Sequence, residues 1–576
     1  MNRIDRVVIA GLVLVLAIAA IAIGGPAFTP KPAAGPSSGP VAAATNPYRE
    51  GVLSRPTNVN PLAARTQADR DLVALVFEGL VARKADGGLA PAIARSWTST
   101  TSGDAWTFVL DPNASWQDGE AVTAADVVYT IATLQDPDYH GPGARSWAGI
   151  TVTAVDTETV RFALATPIGG FLDLATQPIV PRHLLADTPP GGMADAAFGK
   201  EPIGSGPYAV TELDRDHAVL EPATAGSAPG VGNGGSARPS RDPLATVAPT
   251  RRPDDSQLGL ARLEFRFFDD PTALATAFRN GELDVASGLD PAAATTLSAT
   301  PGARAIRNPS TTLAAVVLNL HATEDAFADP RTRLALLSAI DRERIVRVVY
   351  GGAADLANGL IPPSSWAFSA AATPPIGRDL KAAAAELVTG GWKKAADGWH
   401  HAGAKAARTI QLLVPARTVN PILFAAGSQI AADWTALGFS VAVVEQDPAV
   451  IAAEHLRTGD FEAAVVDIAI GHDPDLYPLL ASSQIRTGGA NVIGLQDPLL
   501  DGLLATARKP APYDARIAAY LALQKRLAGG TYLLPIAWPD EVFVVAQRVV
   551  GPAPREVADG SERFGDVLTW RLADDR

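Results

Sequence analysis

Arg417 is the side chain whose place along the chain best suits the binding of a small charged molecule. It follows an apolar stretch, Thr409 to Val414, that predicts a strand, and it precedes the pair Asn420–Pro421, which is typical of a helix start. In α/β proteins, ligands bind at the carboxyl ends of strands. The guanidinium fork matches a carboxylate, and in a closed cleft that contact contributes about 1.5 to 3 kcal/mol. The alternative is an arginine that is solvated or paired at a domain surface.

Other residue types offer little sign of catalysis. The eight histidines are scattered, and none forms the i, i+4 pair with a glutamate that zinc hydrolase helices carry. Cysteine is absent, which excludes disulfides, thiolate metal ligands, cysteine nucleophiles and a lipid-modified N-terminal cysteine. From these signals we expect no enzyme activity, no cofactor and no metal.

The elements around Arg417 alternate between strands and helices, which predicts an α/β arrangement. A buried strand is predicted over Leu313 to Leu320, and Asp329–Pro330 opens a helix. The helix that starts at Asn420–Pro421 is predicted to end at Gly438, before another strand.

The first half of the chain carries β-rich segments with turn signals. Trp106 to Leu110 is predicted as a strand, and Thr123 is predicted to cap a helix. Val152 to Leu164 predicts two strands joined at Asp156–Thr157. Residues 223–257 are rich in Gly, Pro, Ser and Ala, which predicts a disordered surface insertion within a lobe.

The N-terminus predicts export across a membrane. Arg3 and Arg6 precede an uncharged segment, residues 7–25, which spans roughly 28 Å as a helix. Positive charge on the short leading side predicts a cytoplasmic N-terminus, residues 1–6, and an exported body. The segment is either an uncleaved anchor or a signal peptide cleaved near residues 42–44. Residues 26–45 then form a disordered tether.

Composition limits the possible partners. The chain has 576 residues with 47% hydrophobic and 19% charged residues, which suits a globular protein of roughly two to four structural units. Its formal net charge is −13, so binding to nucleic acid is not expected.

An ordered series of short motifs carries a resemblance to a known family. The motifs, quoted from the sequence, are Phe77-Glu78-Gly79-Leu80, Trp116-Gln117-Asp118-Gly119, Pro202-Ile203-Gly204-Ser205-Gly206-Pro207-Tyr208, Gly281-Glu282-Leu283-Asp284 and Asp329-Pro330-Arg331. Together they resemble the extracytoplasmic solute-binding proteins of the peptide/nickel class, family 5, which serve ABC importers. The likeness extends over nearly all of residues 50 to 545.

The resemblance implies an α/β, two-lobed fold of the periplasmic binding protein type II, large peptide-binding class, with a small extra subdomain in the N-terminal lobe. The implied domains are lobe I over 46–311, with the subdomain at about 75–200, lobe II over 312–540, and a return to lobe I over 541–576. A solute would be enclosed between the lobes. Trp97, Trp106, Trp116, Gly204 and Gly206 are expected to serve the fold and not the ligand.

The resemblance also implies ligand-binding residues. Arg417 matches the arginine that pairs with a peptide carboxylate. The loop from Val465 to Tyr477 resembles the stretch whose aspartate receives the peptide ammonium, but it departs from that pattern, so either Asp467 or Asp473 could supply the charge. His472 lies in the same loop, where a histidine more often makes hydrogen bonds than binds a metal.

Three further residues are candidates on the same grounds. Asn491 matches an asparagine just past the loop, and Ser54 and Arg55 match the first segment that lines the cleft.

The function expected from this resemblance is capture of a peptide or another small charged solute for an ABC permease. The alternative is an envelope scaffold or regulatory protein that keeps the fold without transport. We expect a monomer on the extracytoplasmic face of the membrane, or a periplasmic or secreted protein if residues 7–25 are cleaved.

Overall fold

The computed structural model describes residues 47–573, apart from residue 145 and segments 224–258, 322–325, 402–403 and 486–488. The predicted membrane or signal segment 7–25, the tether 26–45 and all but the first residue of the insertion 223–257 lie outside the described residues. Among the described helices, none is long and apolar enough to cross a membrane.

The helix after Arg417 has the ends that its sequence predicts. It extends over Pro421–Leu437, and the Asn420 side chain accepts a hydrogen bond from the N–H of Leu423 at 2.9 Å. Gly438 ends the helix in the left-handed conformation, with φ 114°. These local signals fix the start of the helix beside the strand that leads to Arg417.

Side-chain caps also begin other helices. Thr123 and Asp126 form a capping box at the start of Ala124–Gln135, as expected for Thr123. The other helices of at least eight residues are Gln67–Val76, Pro271–Arg279, Pro291–Ser298, Pro330–Ala339, Leu380–Thr389, Pro498–Ala507 and Tyr513–Gly530. Shorter helical segments are Phe171–Leu174, Arg182–Leu185, Pro190–Asp195, Ala197–Gly199, Ala326–Ala328, Arg342–Arg344, Ile345–Val349, Pro448–Val450, Ile451–Leu456, Tyr477–Leu480 and Ser482–Gln484. A 3-10 segment of ten residues extends over Gly560–Thr569.

A sheet of twelve strands runs through the described part of the chain. Its strands are Tyr48–Val52, Tyr208–Leu213, His217–Pro222, Leu263–Phe267, Val285–Ser287, Ala303–Pro309, Thr312–Leu318, Ala354–Leu356, Thr409–Pro415, Ser440–Gln446, Ala463–Ala469 and Leu534–Ala546. Parallel and antiparallel pairs are mixed: Thr409–Pro415 is parallel to Ser440–Gln446, and Thr312–Leu318 is antiparallel to Ala463–Ala469. The predicted α/β arrangement around Arg417 is confirmed.

The long strand Leu534–Ala546 joins the two halves of this sheet. Its first half pairs with Thr312–Leu318, and its second half pairs with Ala303–Pro309 and Val285–Ser287. The chain therefore passes from one half of the sheet to the other twice, at residues 309–312 and within residues 537–540. These two segments lie side by side. Paired crossings of this kind suit a hinge.

Smaller sheets complete the described structure. Four antiparallel strands, Ala94–Ser99, Ala105–Leu110, Thr159–Leu164 and Ile150–Ala154, form a separate sheet. Two-stranded sheets pair Val81–Arg83 with Leu89–Pro91, Trp392–Ala395 with Gly398–His401, and Val549–Val550 with Arg571–Leu572. The predicted hairpin at Asp156–Thr157 is confirmed, because Ile150–Ala154 pairs with Thr159–Leu164.

The hydrophobic core is divided in a way that defines two lobes. One cluster, here called the amino-terminal lobe, combines residues 48–285 with Ile306 and residues 543–570. Two clusters between Leu313 and Trp538 form the carboxy-terminal lobe. Trp97, Trp106 and Trp116 are buried in the first cluster, as expected. The residue boundaries of the domains stay predictions.

Close packing explains the glycines of the Pro202–Tyr208 motif. A Cβ atom on Gly204 would collide with the carbonyl oxygen of Val76, and one on Gly206 would lie 2.6 Å from the Val76 carbonyl carbon. Neither glycine has a positive φ. Glycine is needed here because two backbone segments touch, and not because the chain adopts a left-handed turn.

A buried ionic cluster attaches the C-terminal segment to the amino-terminal lobe. The Arg563 guanidinium donates to Glu50 at 2.7 Å and to both carboxylate oxygens of Asp71 at 2.7 Å. All three side chains are almost fully buried. Residues 555–563 are thereby held on the amino-terminal side of the cavity described next.

Candidate functional site: a cavity between the lobes

A cavity of about 940 Å³ lies between the two lobes. The amino-terminal lobe contributes Arg83, Ser146 and residues 168–176, and the C-terminal segment contributes Ala558 and Glu562. The carboxy-terminal lobe contributes most of the loop 465–479, together with Leu423 and Asn420. A volume of this size lies in the range of about 300 to 1,000 Å³ that is usual for small-molecule sites.

The sheet of the carboxy-terminal lobe explains why these residues meet. Ala463–Ala469 is parallel to Thr409–Pro415, so the carboxyl ends of both strands lie at the same edge. Asp467 lies near the end of one strand, Pro415 is the last residue of the other, and Asn420 follows it; all three line the cavity. This is the edge at which α/β folds bind ligands.

Asp467 is the carboxylate on this edge. Its side chain is reached by solvent from the cavity, and the Asn420 amide lies 3.4 Å from its carboxylate oxygen. Protein surrounds it on the other sides, and this burial raises the pKa of Asp467 to about 6, against a smaller lowering by the Asn420 hydrogen bond. No ion pair with a described residue occupies this carboxylate, so it is available to a cationic group that a solute brings.

Asp473 also lines the cavity, but it already has a cationic partner. Its carboxylate lies 2.7 Å from the Arg516 guanidinium, and both side chains are largely buried. The Tyr520 hydroxyl donates to the same carboxylate at 3.4 Å. Of the two aspartates suggested by the sequence, Asp467 is therefore the one that remains available for a cationic group.

His472 joins the loop to the C-terminal segment across the cavity. Its Nδ1 lies 3.0 Å from Glu556 and its Nε2 lies 2.8 Å from Glu562. Burial disfavours the charged imidazole, but these two hydrogen bonds outweigh it and raise the pKa of His472. The hydrogen-bonding role expected for this histidine thus has two carboxylate partners in the other lobe.

Arg417 lies outside the cavity wall. Its side chain is exposed, and its guanidinium stacks over the ring of Phe424 at 4.3 Å from the centroid. Its backbone N–H donates to Glu445 at 2.6 Å. Its contact with a ligand carboxylate stays a prediction.

Asn491, Ser54 and Arg55 have contacts within the protein. Asn491 is buried, and its amide donates to backbone carbonyls, including those of Ala481 and Leu495 at 3.0 and 2.9 Å. Ser54 accepts from the N–H of Ala68 at 3.4 Å, and Arg55 pairs with Asp269 at 2.7 Å. None of the three lines the cavity formed by the described residues.

The sequence did not single out the partners of the charged loop residues. Arg508 pairs with Asp475 at 2.9 Å, and Arg83 pairs with Asp173 on the opposite wall. Glu556 and Glu562, 84 and 90 residues after His472, belong to no motif. Of these paired residues, only Asp475 could have been suggested from the sequence, because it lies two residues after Asp473 in the same loop.

A second chamber of about 500 Å³ adjoins the cavity. The two share Arg83, Asp173 and Glu562 among their lining residues. Among the described residues, no group of three or more His, Asp or Glu side chains is arranged to hold a metal ion.

Two lobes, paired crossings of the chain and an intervening cavity define a solute-binding protein of the hinged type. The model for the bacterial extracellular solute-binding proteins, family 5 (middle region), matches residues 88–488. The chain belongs to this family.

This chain is similar along most of its length to several relatives and to several solved structures. Protein XP55 of Streptomyces lividans is 28% identical, over 86% of this chain and 84% of that protein. The oligopeptide-binding protein AppA of Bacillus subtilis is 23% identical, over 87% of this chain and 88% of that protein. AppA in complex with a nonapeptide is similar in structure, with a TM-score of 0.70, 20% identity and coverage of 92% and 99%. NikZ from Campylobacter jejuni in complex with Ni(L-His) gives a TM-score of 0.69, 20% identity and coverage of 91% and 99%.

Proposed function

We propose that this protein is the extracytoplasmic substrate-binding component of an ABC importer and that it captures a peptide or another small charged solute. The observation that carries the proposal is the cavity of about 940 Å³ between the lobes. Most of the side chains on its wall are apolar, and charged groups held in ion pairs lie among them, which suits a site that orients a small ligand. Membership of the solute-binding family and the similarity to an oligopeptide-binding protein support the same function.

Capture would depend on hinge motion at the paired crossings near residues 309–312 and 537–540. The open form admits the solute, and the closed form surrounds it and is presented to the permease. Residues 7–25 would hold the protein at the outer face of the membrane, or direct its export as a cleaved signal. We propose that it acts as a monomer.

Thermal unfolding in the presence of pooled peptides tests this function. Pools of two to eight residues, single amino acids and divalent metal salts would be added separately to the purified protein. A solute at a hundredfold excess over its dissociation constant stabilises the folded protein by about 2.7 kcal/mol. A shift with one peptide pool supports the proposal; the absence of a shift with every peptide and metal would contradict it.

A further inference from the structure

The second chamber, of about 500 Å³, lies within one lobe. Its wall comes from the helix Gln67–Val76, the strand Val81–Arg83, the short helix Phe171–Leu174 and the segment Gly560–Thr569. All of these elements belong to the amino-terminal lobe, and no described residue of the carboxy-terminal lobe lines this chamber. The chamber is therefore formed whether or not the two lobes close.

The wall of the second chamber is mainly apolar. Phe77, Trp147 and Phe564 contribute aromatic surface, and Leu174 and Leu568 contribute aliphatic surface. Well-packed protein interiors leave few voids larger than a water molecule, so a space of this volume is more than a packing defect. An apolar group that enters it leaves water, which contributes roughly 25 cal/mol per Å². The chamber thus suits an aromatic or branched aliphatic side chain.

The charged side chains on this wall are largely held by protein partners. Arg70 pairs with Asp559 at 2.6 Å, and Arg555 pairs with Asp566 at 2.7 Å. Of the cationic side chains on the described wall, Lys84 alone has no carboxylate partner, and it is half-buried. An ammonium accepts contact from a carboxylate and repels another ammonium. Lys84 therefore favours the carboxyl-terminal end of a peptide over the amino-terminal end.

The junction between the second chamber and the interlobe cavity is polar. Arg83, Ser146, Asp173 and Glu562 line both spaces. Arg83 is paired with Asp173, and Glu562 with His472, so no uncompensated charge of these pairs blocks the passage. A peptide backbone needs partners for its N–H and C=O groups, and polar side chains at the junction supply them. The two spaces therefore suit one elongated solute that passes through the junction.

We propose that the second chamber binds the apolar side chain of the carboxyl-terminal residue of a peptide whose remainder lies in the interlobe cavity. This inference rests on the proposed function and names its class of substrate, namely peptides that end in a large apolar residue. Because the chamber lies within one lobe, the contact forms in the open protein, and closure then encloses the remainder of the peptide.

Calorimetric titration with four pentapeptides tests this assignment. Two carry Phe at either the first or the last position of an otherwise all-Ala peptide, and two carry Ser at the same positions. The peptide that ends in Phe is expected to bind at least tenfold more tightly than the one that ends in Ser, because the chamber removes the phenyl ring from water.

Ala74→Trp distinguishes the second chamber from the interlobe cavity. Ala74 is exposed on the helix Gln67–Val76 and lines the chamber, so the indole fills the chamber without entering the core. This variant should reduce the preference for a final Phe to less than threefold and leave the effect of a first Phe unchanged. Ala385→Trp is the matched control, because Ala385 is exposed on the helix Leu380–Thr389 and lines neither space. It should keep the preference for a final Phe.

Two results would overturn the inference: a preference for a final Phe below threefold in the unaltered protein, or a preference that Ala74→Trp leaves intact. If no pentapeptide binds, the peptide function fails, and ligand-observed NMR with phenylpropanol then decides the inference separately. The third protein in that comparison is Gly170→Val, because Gly170 touches Asp473 of the other lobe. Binding to the unaltered protein and to Gly170→Val, but not to Ala74→Trp, upholds the inference. Absent binding, or equal binding to all three proteins, refutes it.

Discussion

Gly170 of the amino-terminal lobe lies directly against Asp473 of the carboxy-terminal lobe. A Cβ atom on Gly170 would lie 2.8 Å from the Cβ of Asp473, which is closer than real Cβ atoms approach. The neighbouring Gly169 donates its N–H to the carbonyl of Arg508 at 2.8 Å. The structure thus shows the lobes in contact beside the cavity, and the contact depends on the missing side chain of Gly170.

Gly170→Val is expected to prevent this contact without disturbing either lobe. Gly170 has φ −87°, outside the left-handed region, and the three atoms nearest to an added Cβ all belong to Asp473 of the other lobe. Closure around a solute should then fail, and affinity for the pool of two- to eight-residue peptides that shifts thermal unfolding should fall at least tenfold. Titration calorimetry measures this, with Gly377→Val as the control because Gly377 has open space around its Cβ position. Unchanged affinity in Gly170→Val would mean that closure does not need the contact.

The bridge from His472 to Glu556 and Glu562 is expected to stabilise the same contact in a pH-dependent way. The pKa of His472 is raised in the folded protein. The contribution of His472 to the free energy of unfolding is therefore complete below about pH 6.5, the ordinary pKa of histidine, and is lost as the pH rises through the raised pKa. At the acid end, the contribution is lost as the pH falls through the pKa of Glu556, which its hydrogen bond with His472 lowers despite burial. Arg83 also faces this group and opposes the charge on His472.

His472→Gln measures the size of this effect. Hydrogen bonds to charged groups contribute about 1.5 to 3 kcal/mol, so the variant should lose that much stability at pH 6 and clearly less at pH 9. Thermal unfolding of both proteins across this range gives the difference. A deficit that stays constant with pH would show that the charge of His472 makes no contribution.

Solute binding is expected to weaken in acid through Asp467. Burial raises the pKa of Asp467 to about 6, so between pH 7 and pH 5 most of this carboxylate becomes protonated and loses its attraction for a cation. Affinity for tetrapeptides with free termini should fall about tenfold over this range, since their own termini keep their charges there. Asp467→Asn should show a flat profile. A parallel decline in the variant would assign the pH dependence to another group.

The buried cluster at Arg563 is expected to be essential for stability. Arg563→Met leaves the carboxylates of Glu50 and Asp71 buried without a cation, and removal of one partner from a buried ion pair costs about 3 to 5 kcal/mol. Arg331→Met is the matched control, because the Arg331–Asp329 pair is exposed and contributes about 0 to 1 kcal/mol. Urea unfolding measures both. Equal losses in the two variants would contradict the structural role of the cluster.

The elements around the site could be predicted because their signals are local. Asn420, Pro421 and Gly438 fix both ends of one helix within a few residues of the chain. Asp467 became a candidate, together with Asp473, through the family resemblance of its segment. A capping hydrogen bond joins residues two or three apart, so the sequence contains both partners side by side.

The charge balance of the cavity could not be predicted in this way. Asp473 and Asp467 are equivalent by sequence, and only the approach of Arg516, 43 residues later, neutralises one of them. Asn491 matches a family position but uses its amide on backbone carbonyls. Such pairings depend on how distant segments pack, and that information is spread over the whole chain.

Native mass spectrometry of the protein with pools of peptides of two to eight residues, with free or acetylated N-termini, tests the central claim most directly, namely that the two lobes close around one small charged solute. The account predicts one bound peptide per chain, with a free N-terminus, that is lost on denaturation and is greatly reduced in both Gly170→Val and Asp467→Asn. Peptides that bind to all three proteins alike, or acetylated peptides retained as well as free ones, would contradict it.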